Sequence, residues 1–282
     1  MTRLDQALVE RALCDSREKA KRFILAGQVR INGHPARKPS DGIKPADEIT
    51  LDAGDKFVSR GGHKLEHALN HFQLDVTGLT AIDLGASTGG FTDCLLQRGA
   101  AKVFAVDVGQ GQLAWKLRTD KRVVVMEKTN ARHLKPEHFA EKKHSTSNIQ
   151  HRTSNSSNTP PQPSALGVES SLLNVSAAPP ADLVVIDCSF ISLKIILPSA
   201  VPLLKPDGKI VALIKPQFEA GKAEADKGRG VITDVAVHER VLAELEEFVA
   251  AQTGLCWRGV VESPLLGPAG NKEFLTLIEK IR

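Results

Sequence analysis

The sequence predicts an α/β chain in two parts: a small α+β domain, then a larger doubly wound, mostly parallel sheet. Three observations point there. From residue 79 onward, apolar runs of strand length alternate with stretches at helical spacing. The first such run leads straight into a glycine-rich turn, Asp83-Leu84-Gly85-Ala86-Ser87-Thr88-Gly89-Gly90. The residues before that region have a different rhythm, with two basic helical stretches and a hairpin signal. A chain of 282 residues is long enough for one large core plus a small one.

The small domain is expected over residues 1–58. Leu4, Ala7, Leu8 and Leu13 fall at helical spacing within residues 3–13. Asp15-Ser16 offers an N-cap for a second helix from Arg17 to Ala26, and Gly27 stands where a helix-ending glycine belongs. Val29-Arg30-Ile31 reads as a strand running into Asn32-Gly33, the strongest two-residue hairpin signal. Glu48-Ile49-Thr50-Leu51 reads as another. Between Arg3 and Lys38 there are nine Lys/Arg against four Asp/Glu, a net of +5 against +4 for the whole chain. A basic start on an otherwise neutral chain favours an anionic partner such as nucleic acid. The stretch also resembles the small RNA-binding domain shared by a small-subunit ribosomal protein, many pseudouridine synthases and some heat-shock proteins. The matching residues are Arg3-Leu4-Asp5-Gln6-Ala7-Leu8, Ser16-Arg17-Glu18-Lys19-Ala20 and Gly27-Gln28-Val29-Arg30-Ile31-Asn32-Gly33. The resemblance implies that Arg3, Arg17, Lys21, Arg22 and Arg30 meet RNA phosphates, which position a protein without reading sequence.

Residues 59–62 are expected to form the joint, with Gly61 and Gly62 allowing a turn, and the second domain to run from 63 to 282, opening on a helix. Strands are expected near 79–83, 103–107, 123–126, 183–187, 210–215, 259–262 and 274–279, and helices near 90–98, 111–118, 191–204 and 235–252. Residues 141–180 break the pattern. Ser, Asn, Thr and Pro make up 21 of these 40 residues, which reads as a flexible surface insertion or a substrate-touching loop.

Composition excludes several classes. Four cysteines lie far apart with no CxxC pair, so neither a disulfide framework nor a zinc site is expected, and the nine histidines show no ligand spacing. Met1-Thr2-Arg3-Leu4-Asp5 has no apolar signal core, and no run approaches the length of a membrane helix. A cytoplasmic protein is expected.

In open α/β sheets ligands bind outside the carboxyl ends of the strands. Asp187 and Lys215 close two strand-like runs, Leu183-Val184-Val185-Ile186-Asp187 and Ile210-Val211-Ala212-Leu213-Ile214-Lys215, so both belong at that edge. The glycine loop belongs there too. Its spacing, Asp83-x-Gly85-x-x-x-Gly89-Gly90, is not the GxGxxG of a dinucleotide fold. It suits S-adenosylmethionine, which has an amino-acid end, a sulfonium and an adenosine but no pyrophosphate. Asp83 would hold the ammonium, with Ser87 in the loop. Asp107, 22 residues after Gly85, would accept both ribose hydroxyls. Asn130 would meet the adenine edge, and Phe91 would pack on the cofactor.

The quoted glycine loop with Phe91-Thr92, together with Asp187-Cys188-Ser189-Phe190-Ile191-Ser192-Leu193, Lys215-Pro216-Gln217-Phe218-Glu219-Ala220-Gly221 and Gly270-Asn271-Lys272-Glu273-Phe274, resembles the TlyA haemolysin/rRNA methyltransferase family of FtsJ-like enzymes. Ser59-Arg60-Gly61-Gly62-His63-Lys64-Leu65 fits as well. The resemblance implies a Rossmann-like methyltransferase sheet and a Lys-Asp-Lys-Glu tetrad of Lys64, Asp187, Lys215 and Glu273. It implies methylation of cytidine 2′-hydroxyls in ribosomal RNA or ribosomal subunits, without metal. Lys215 would take the hydroxyl proton, with the Lys64 cation favouring its neutral amine. The chain departs from the family at 141–180, which is longer than usual, and at Phe57, where an aromatic hydroxyl is common. Asp226-Lys227-Gly228-Arg229-Gly230 reads as a mobile loop near the site, either plain surface or a phosphate contact. Three other classes compete: a membrane-active haemolysin, an RNA-binding protein with an inactive methyltransferase-like domain, and a nicotinamide-dependent oxidoreductase.

Overall fold

The computed structural model describes residues 1–25, 27–51, 55–139 and 181–281. The chain divides into two compact units, Met1–Ser59 and Arg60–Arg282. The insertion expected at 141–180 lies outside the described residues.

In the first unit, β1 (Thr2–Arg3) leads into α1 (Leu4–Glu10), followed by α2 (Arg17–Leu25), β2 (Val29–Ile31), β3 (His34–Pro35), β4 (Gly42–Ile43) and β5 (Ile49–Leu51). Helix α1 stops three residues short of the apolar pattern for a physical reason. Ala12 turns left-handed at φ 56°, its N–H bonds the carbonyl of Val9, and the Leu13 N–H reaches back to Leu8 at 2.9 Å. This helix-ending motif folds Leu13 onto the same core as Leu4 and Leu8, so the spacing continues beyond the helix. The Ser16 hydroxyl accepts the Lys19 N–H and caps α2, and Gly27 at φ 73° ends it. Asn32 and Gly33 both have positive φ, 51° and 78°, as a type I′ hairpin between β2 and β3 requires. The small sheet has the order β3-β2-β5. The β1–β4 pair went unforeseen because two-residue strands carry no periodicity.

The second unit contains α3 (Gly61–His71), β6 (Thr80–Leu84), α4 (Gly90–Gln97), β7 (Lys102–Val106), α5 (Trp115–Arg118), β8 (Val123–Met126) and β9 (Ala181–Ile186). It continues with α6 (Leu193–Ala200), β10 (Leu204–Ile214), α7 (Pro216–Glu219), α8 (Lys222–Lys227), α9 (Val235–Ala250), β11 (Leu255–Glu262) and β12 (Phe274–Lys280). The sheet runs β11-β12-β10-β9-β6-β7-β8, parallel from β10 to β8, with β12 antiparallel to both neighbours. Each expected strand is present. The helix expected over 111–118 shrinks to Trp115–Arg118, because Gly111 at φ 73° cannot continue a right-handed helix. Helix α6 gives way after Ala200 to a 3₁₀ turn containing Pro202. The short helices α7 and α8 span too few residues to show an apolar period.

The sheet is covered on both faces, so its central strands are mostly apolar rather than alternating, with Asp83 of β6 as a buried exception. Ile82, Val184, Ile186, Ile210, Ala212 and Ile214 pack with Leu193, Ile196 and Leu197 of α6 and with Val241, Leu245 and Val249 of α9. From β6 the chain moves outward through β7 and β8, then returns to the other side of β6 with β9. That reversal opens a crevice at the carboxyl ends of β6 and β9. No helix among the described residues is long and apolar enough to cross a membrane.

A carboxylate organises the first unit. Asp5 is fully buried and accepts from Arg3 Nε at 3.0 Å and from Arg17 Nη2 at 2.9 Å. The Arg3 hydrogen bond, opposed by burial and joined by Arg17, lowers the Asp5 carboxyl from its ordinary 3.8 to about 2. A depressed carboxyl stabilises the fold above its unfolded value, and the contribution is lost as pH falls from about 4 through about 2. Asp5→Asn should therefore destabilise this unit at neutral pH by about 1–2 kcal/mol and flatten its response below pH 4. Hydrogen-exchange protection of α1 and α2, corrected for intrinsic exchange, measures both effects.

Candidate active site

The crevice holds a cavity of about 480 Å³, within the usual range for small-ligand sites. Its walls include Gly85, Ser87, Asp107, Asn130, Asp187 and Phe190. Gly85 follows β6 at φ 87°, and a Cβ there would lie 2.6 Å from the backbone oxygen of Asp187. Only glycine lets the two strand ends approach so closely. Gly89 has a different duty. At φ 99° it starts α4, and a Cβ there would strike the side chains of Leu117 and Leu113. Gly89, Gly90, Phe91 and Asp83 do not line the cavity. The Phe91 side chain is buried in the core instead.

Asp83 lies behind the wall, fully buried. Its Oδ2 accepts the Thr92 N–H at 2.9 Å and the Thr92 hydroxyl at 2.6 Å, which ties β6 to the first turn of α4. Its Oδ1 is buried with no hydrogen-bond partner. Desolvation raises this carboxyl to about 7 against the Thr92 hydrogen bond, with added repulsion from Asp187 and Asp107. Asp107 accepts the Ser87 N–H at 2.8 Å and the Gly109 N–H at 2.6 Å, so it shapes the loop while facing the cavity. Asn130 caps the following turn by accepting the Arg132 N–H at 3.0 Å.

The four tetrad residues form two ion pairs. Lys215 Nζ lies 2.6 Å from Asp187 Oδ1 and also donates to Ser189 Oγ at 3.0 Å and to the Cys188 carbonyl at 3.4 Å. Lys64, in the first turn of α3, pairs with Glu273. The side chains of Lys64 and Glu273 are only 8% and 1% exposed, so neither charge is tolerable without the other. Ile214 pairs with Phe274 in the antiparallel β10–β12 register, so Lys215 and Glu273 leave the sheet at one end. Each lysine has its own acid, an arrangement different from two cations facing one another.

Other supporting residues were not singled out in the sequence. Glu219, at the end of α7, accepts the Ser192 hydroxyl at 2.6 Å and the Leu193 N–H at 2.8 Å, bracing the loop after β9 against that helix. Burial raises its carboxyl despite these bonds. Burial likewise pushes the Cys188 thiol up to about 12, which keeps it in the thiol form. Gly267 closes over Glu273, where a Cβ would lie 2.4 Å from Oε1. The sequence motifs contained Ser189 and Glu219, but only the fold assigns them partners. Among the described residues no group of three or more His, Cys, Asp or Glu could hold a metal ion.

In the first unit, the predicted basic residues divide into two sets. Arg3 and Arg17 are committed to Asp5. Lys21 and Arg22 are exposed on α2, and Arg30 sits beside the hairpin with its guanidinium near the Gly33 carbonyl.

The model of the FtsJ-like methyltransferase family matches residues 57–280, and that of the S4 domain matches residues 2–49. The chain is a TlyA-type member of the FtsJ-like methyltransferase family. It is 44% identical over 275 residues to the 16S/23S rRNA (cytidine-2′-O)-methyltransferase TlyA of Mycobacterium tuberculosis, covering 96% of this chain and 87% of that one. It is 36% identical over 273 residues to Hemolysin A of Brachyspira hyodysenteriae, covering 97% and 98%. A solved structure from Streptococcus thermophilus with a provisional haemolysin name superposes with a TM-score of 0.65 at 39% identity, covering 99% of this chain and 88% of that one. The methyltransferase and haemolysin names thus attach to one family.

The cofactor of FtsJ-like methyltransferases is S-adenosylmethionine, and the residues present fit it. The cavity has suitable volume, Gly85 and Ser87 line it, and Asp107 offers carboxylate oxygens at the wall. Gly85→Ala should cost on the order of 2–4 kcal/mol, combining positive-φ strain with a backbone clash. It should also weaken S-adenosylmethionine binding. Urea unfolding and calorimetry would register the two losses, and wild-type values for both would refute the close-approach argument.

Proposed function

We propose that this methyltransferase modifies the ribose 2′-hydroxyl of cytidine in ribosomal RNA, presented as free RNA or within a ribosomal subunit in the cytoplasm. The observation that carries the reading is the Lys215–Asp187 ion pair at the wall of the Gly85–Asp107 cavity. S-adenosylmethionine supplies a methyl group already activated on a sulfonium, so the protein's task is alignment and proton removal. Asp107 would hold the cofactor ribose, Asn130 the adenine edge, and Ser87 with the Gly85–Gly90 loop the amino-acid end. Asp83 and Phe91 support that loop from behind, through Thr92 and the core.

In its neutral amine form Lys215 takes the proton of the target hydroxyl, and Asp187 holds the ammonium that results. Asp187, Ser189 and the Cys188 carbonyl fix the direction of its Nζ. Lys64 and Glu273 form the second wall of the tetrad and hold α3 against the start of β12. The exposed Lys21 and Arg22, with Arg30 and the partly engaged Arg3 and Arg17, supply a cationic surface for RNA phosphates. The similarity to the enzyme named TlyA in Mycobacterium tuberculosis supports the choice of ribosomal RNA and of cytidine.

Lys215→Arg should lower single-turnover methylation of ribosomal RNA by about 10²-fold or more, because a guanidinium cannot accept a proton at neutral pH. Cofactor affinity should stay close to wild type. A variant that keeps the wild-type rate would move the base role to Lys64 or to water. Asp107→Ala should weaken S-adenosylmethionine binding by about 1–3 kcal/mol, and unchanged calorimetric affinity would remove Asp107 from the cofactor site.

A further inference from the structure

The loop that joins α8 to α9 is built more rigidly than its exposure demands. Gly228 has no room for a side chain, since a Cβ would fall 1.8 Å from the Val231 carbonyl oxygen. Arg229 is left-handed at φ 52°, and Gly230 follows at φ 85°. The Gly230 N–H returns to the Ala225 carbonyl at 2.8 Å, and the Val231 N–H to Gly228 at 2.9 Å. The fully buried Asn271 holds the far side. Its amide donates to the Gly230 carbonyl at 2.8 Å, and its Oδ1 accepts the Ile232 N–H at 2.8 Å. His238 meets the Ile232 carbonyl at 3.0 Å.

This scaffold presents two exposed cations, Lys227 and Arg229. Neither has an ion pair among the described residues, whereas Arg118, Arg122, Arg240 and Arg258 are all matched to acids. Glu224 of α8 is taken by Arg240, which leaves Asp226 as the acid beside them. The anchor also fixes the loop's place. Asn271 lies two residues before Glu273, a Cα separation of at most roughly 7 Å. The loop backbone at Gly230 and Ile232 is therefore held close to the Glu273 end of the tetrad. Arg229 takes the left-handed position of a helix-ending turn, as Ala12 does after α1, which fixes the backbone from which it projects.

We propose that the Lys227–Gly230 loop is a phosphate clamp, in which Lys227 and Arg229 grip the backbone of the RNA strand that carries the target ribose. The contact would position the strand without reading its sequence and would add to the grip of the first unit. The proposal rests on the RNA-methylating reading above.

The test compares wild type with Lys227→Ala, Arg229→Ala and the double variant, using deproteinised ribosomal RNA. Binding is measured at several salt concentrations, alongside S-adenosylmethionine affinity and methylation kinetics. Each lost phosphate contact should reduce the slope of log affinity against log salt by about 0.7–0.9. The double variant should raise the KM for RNA several-fold, leave kcat at saturating RNA within about twofold, and keep cofactor affinity. Arg229→Lys should retain the slope. A double variant with the wild-type slope and KM overturns the clamp, as does one that loses cofactor affinity in step with RNA affinity. Wild-type protein that neither binds nor methylates ribosomal RNA, whether deproteinised or within ribosomal subunits, would overturn the proposed function instead, so the two failures are distinct.

Discussion

The close approach between the ends of β6 and β9 is the constraint on which the rest of the catalytic unit depends. The two strands pair in parallel, with Leu84 opposite Ile186, and the chain beyond them must diverge around a ligand. The Gly85 backbone comes so near the Asp187 carbonyl that no side chain fits between. One side of that junction becomes the cofactor loop and the other becomes the arm that carries Asp187, Ser189 and Phe190. The pairing of two central strands brings the glycine loop and Asp187, the ion-pair partner of Lys215, to one crevice.

Charge burial sets the second condition. Lysine and glutamate are rarely buried unless paired. Lys64 comes from α3 and Glu273 from the start of β12, more than 200 residues apart in sequence, and each makes the other's burial tolerable. Such a pair adds little net stability against an apolar replacement, yet removing one partner is severe. It is therefore better understood as holding a geometry. Lys215 and Asp187 follow the same logic closer to the cavity, with Ser189 and the Cys188 carbonyl filling the remaining donors of the ammonium. A lysine so well matched is firmly directed, and the tetrad is two coupled pairs rather than a cluster of free charges.

Supporting groups repeat a common device, a side chain that ties one loop to another. Thr92 ties α4 to Asp83, Glu219 ties α7 to the loop after β9, and Asn271 ties the α8–α9 loop to the approach of β12. Asp5 does the same for Arg3 and Arg17 in the first unit. Each is a polar group satisfied inside the protein, where an unmade bond would cost more than a made one contributes.

The sequence by itself determined the elements whose cause is local. The Asn32-Gly33 hairpin, the Ser16 cap, the Gly27 stop and the seven apolar strands of the large sheet follow from nearby residues, and the glycine loop marked a turn at the crevice. Lys64, Asp187, Lys215 and Glu273 were legible as candidates because of the motifs around them. Tertiary structure alone decided which lysine meets which acid, that Asp83 and Phe91 stand behind the cavity wall, and that Arg3 and Arg17 are bound to Asp5. The reason is physical. A turn or a cap is settled by the conformations of a few adjacent residues, but partners and exposure depend on strand order and register, which join residues far apart in the chain.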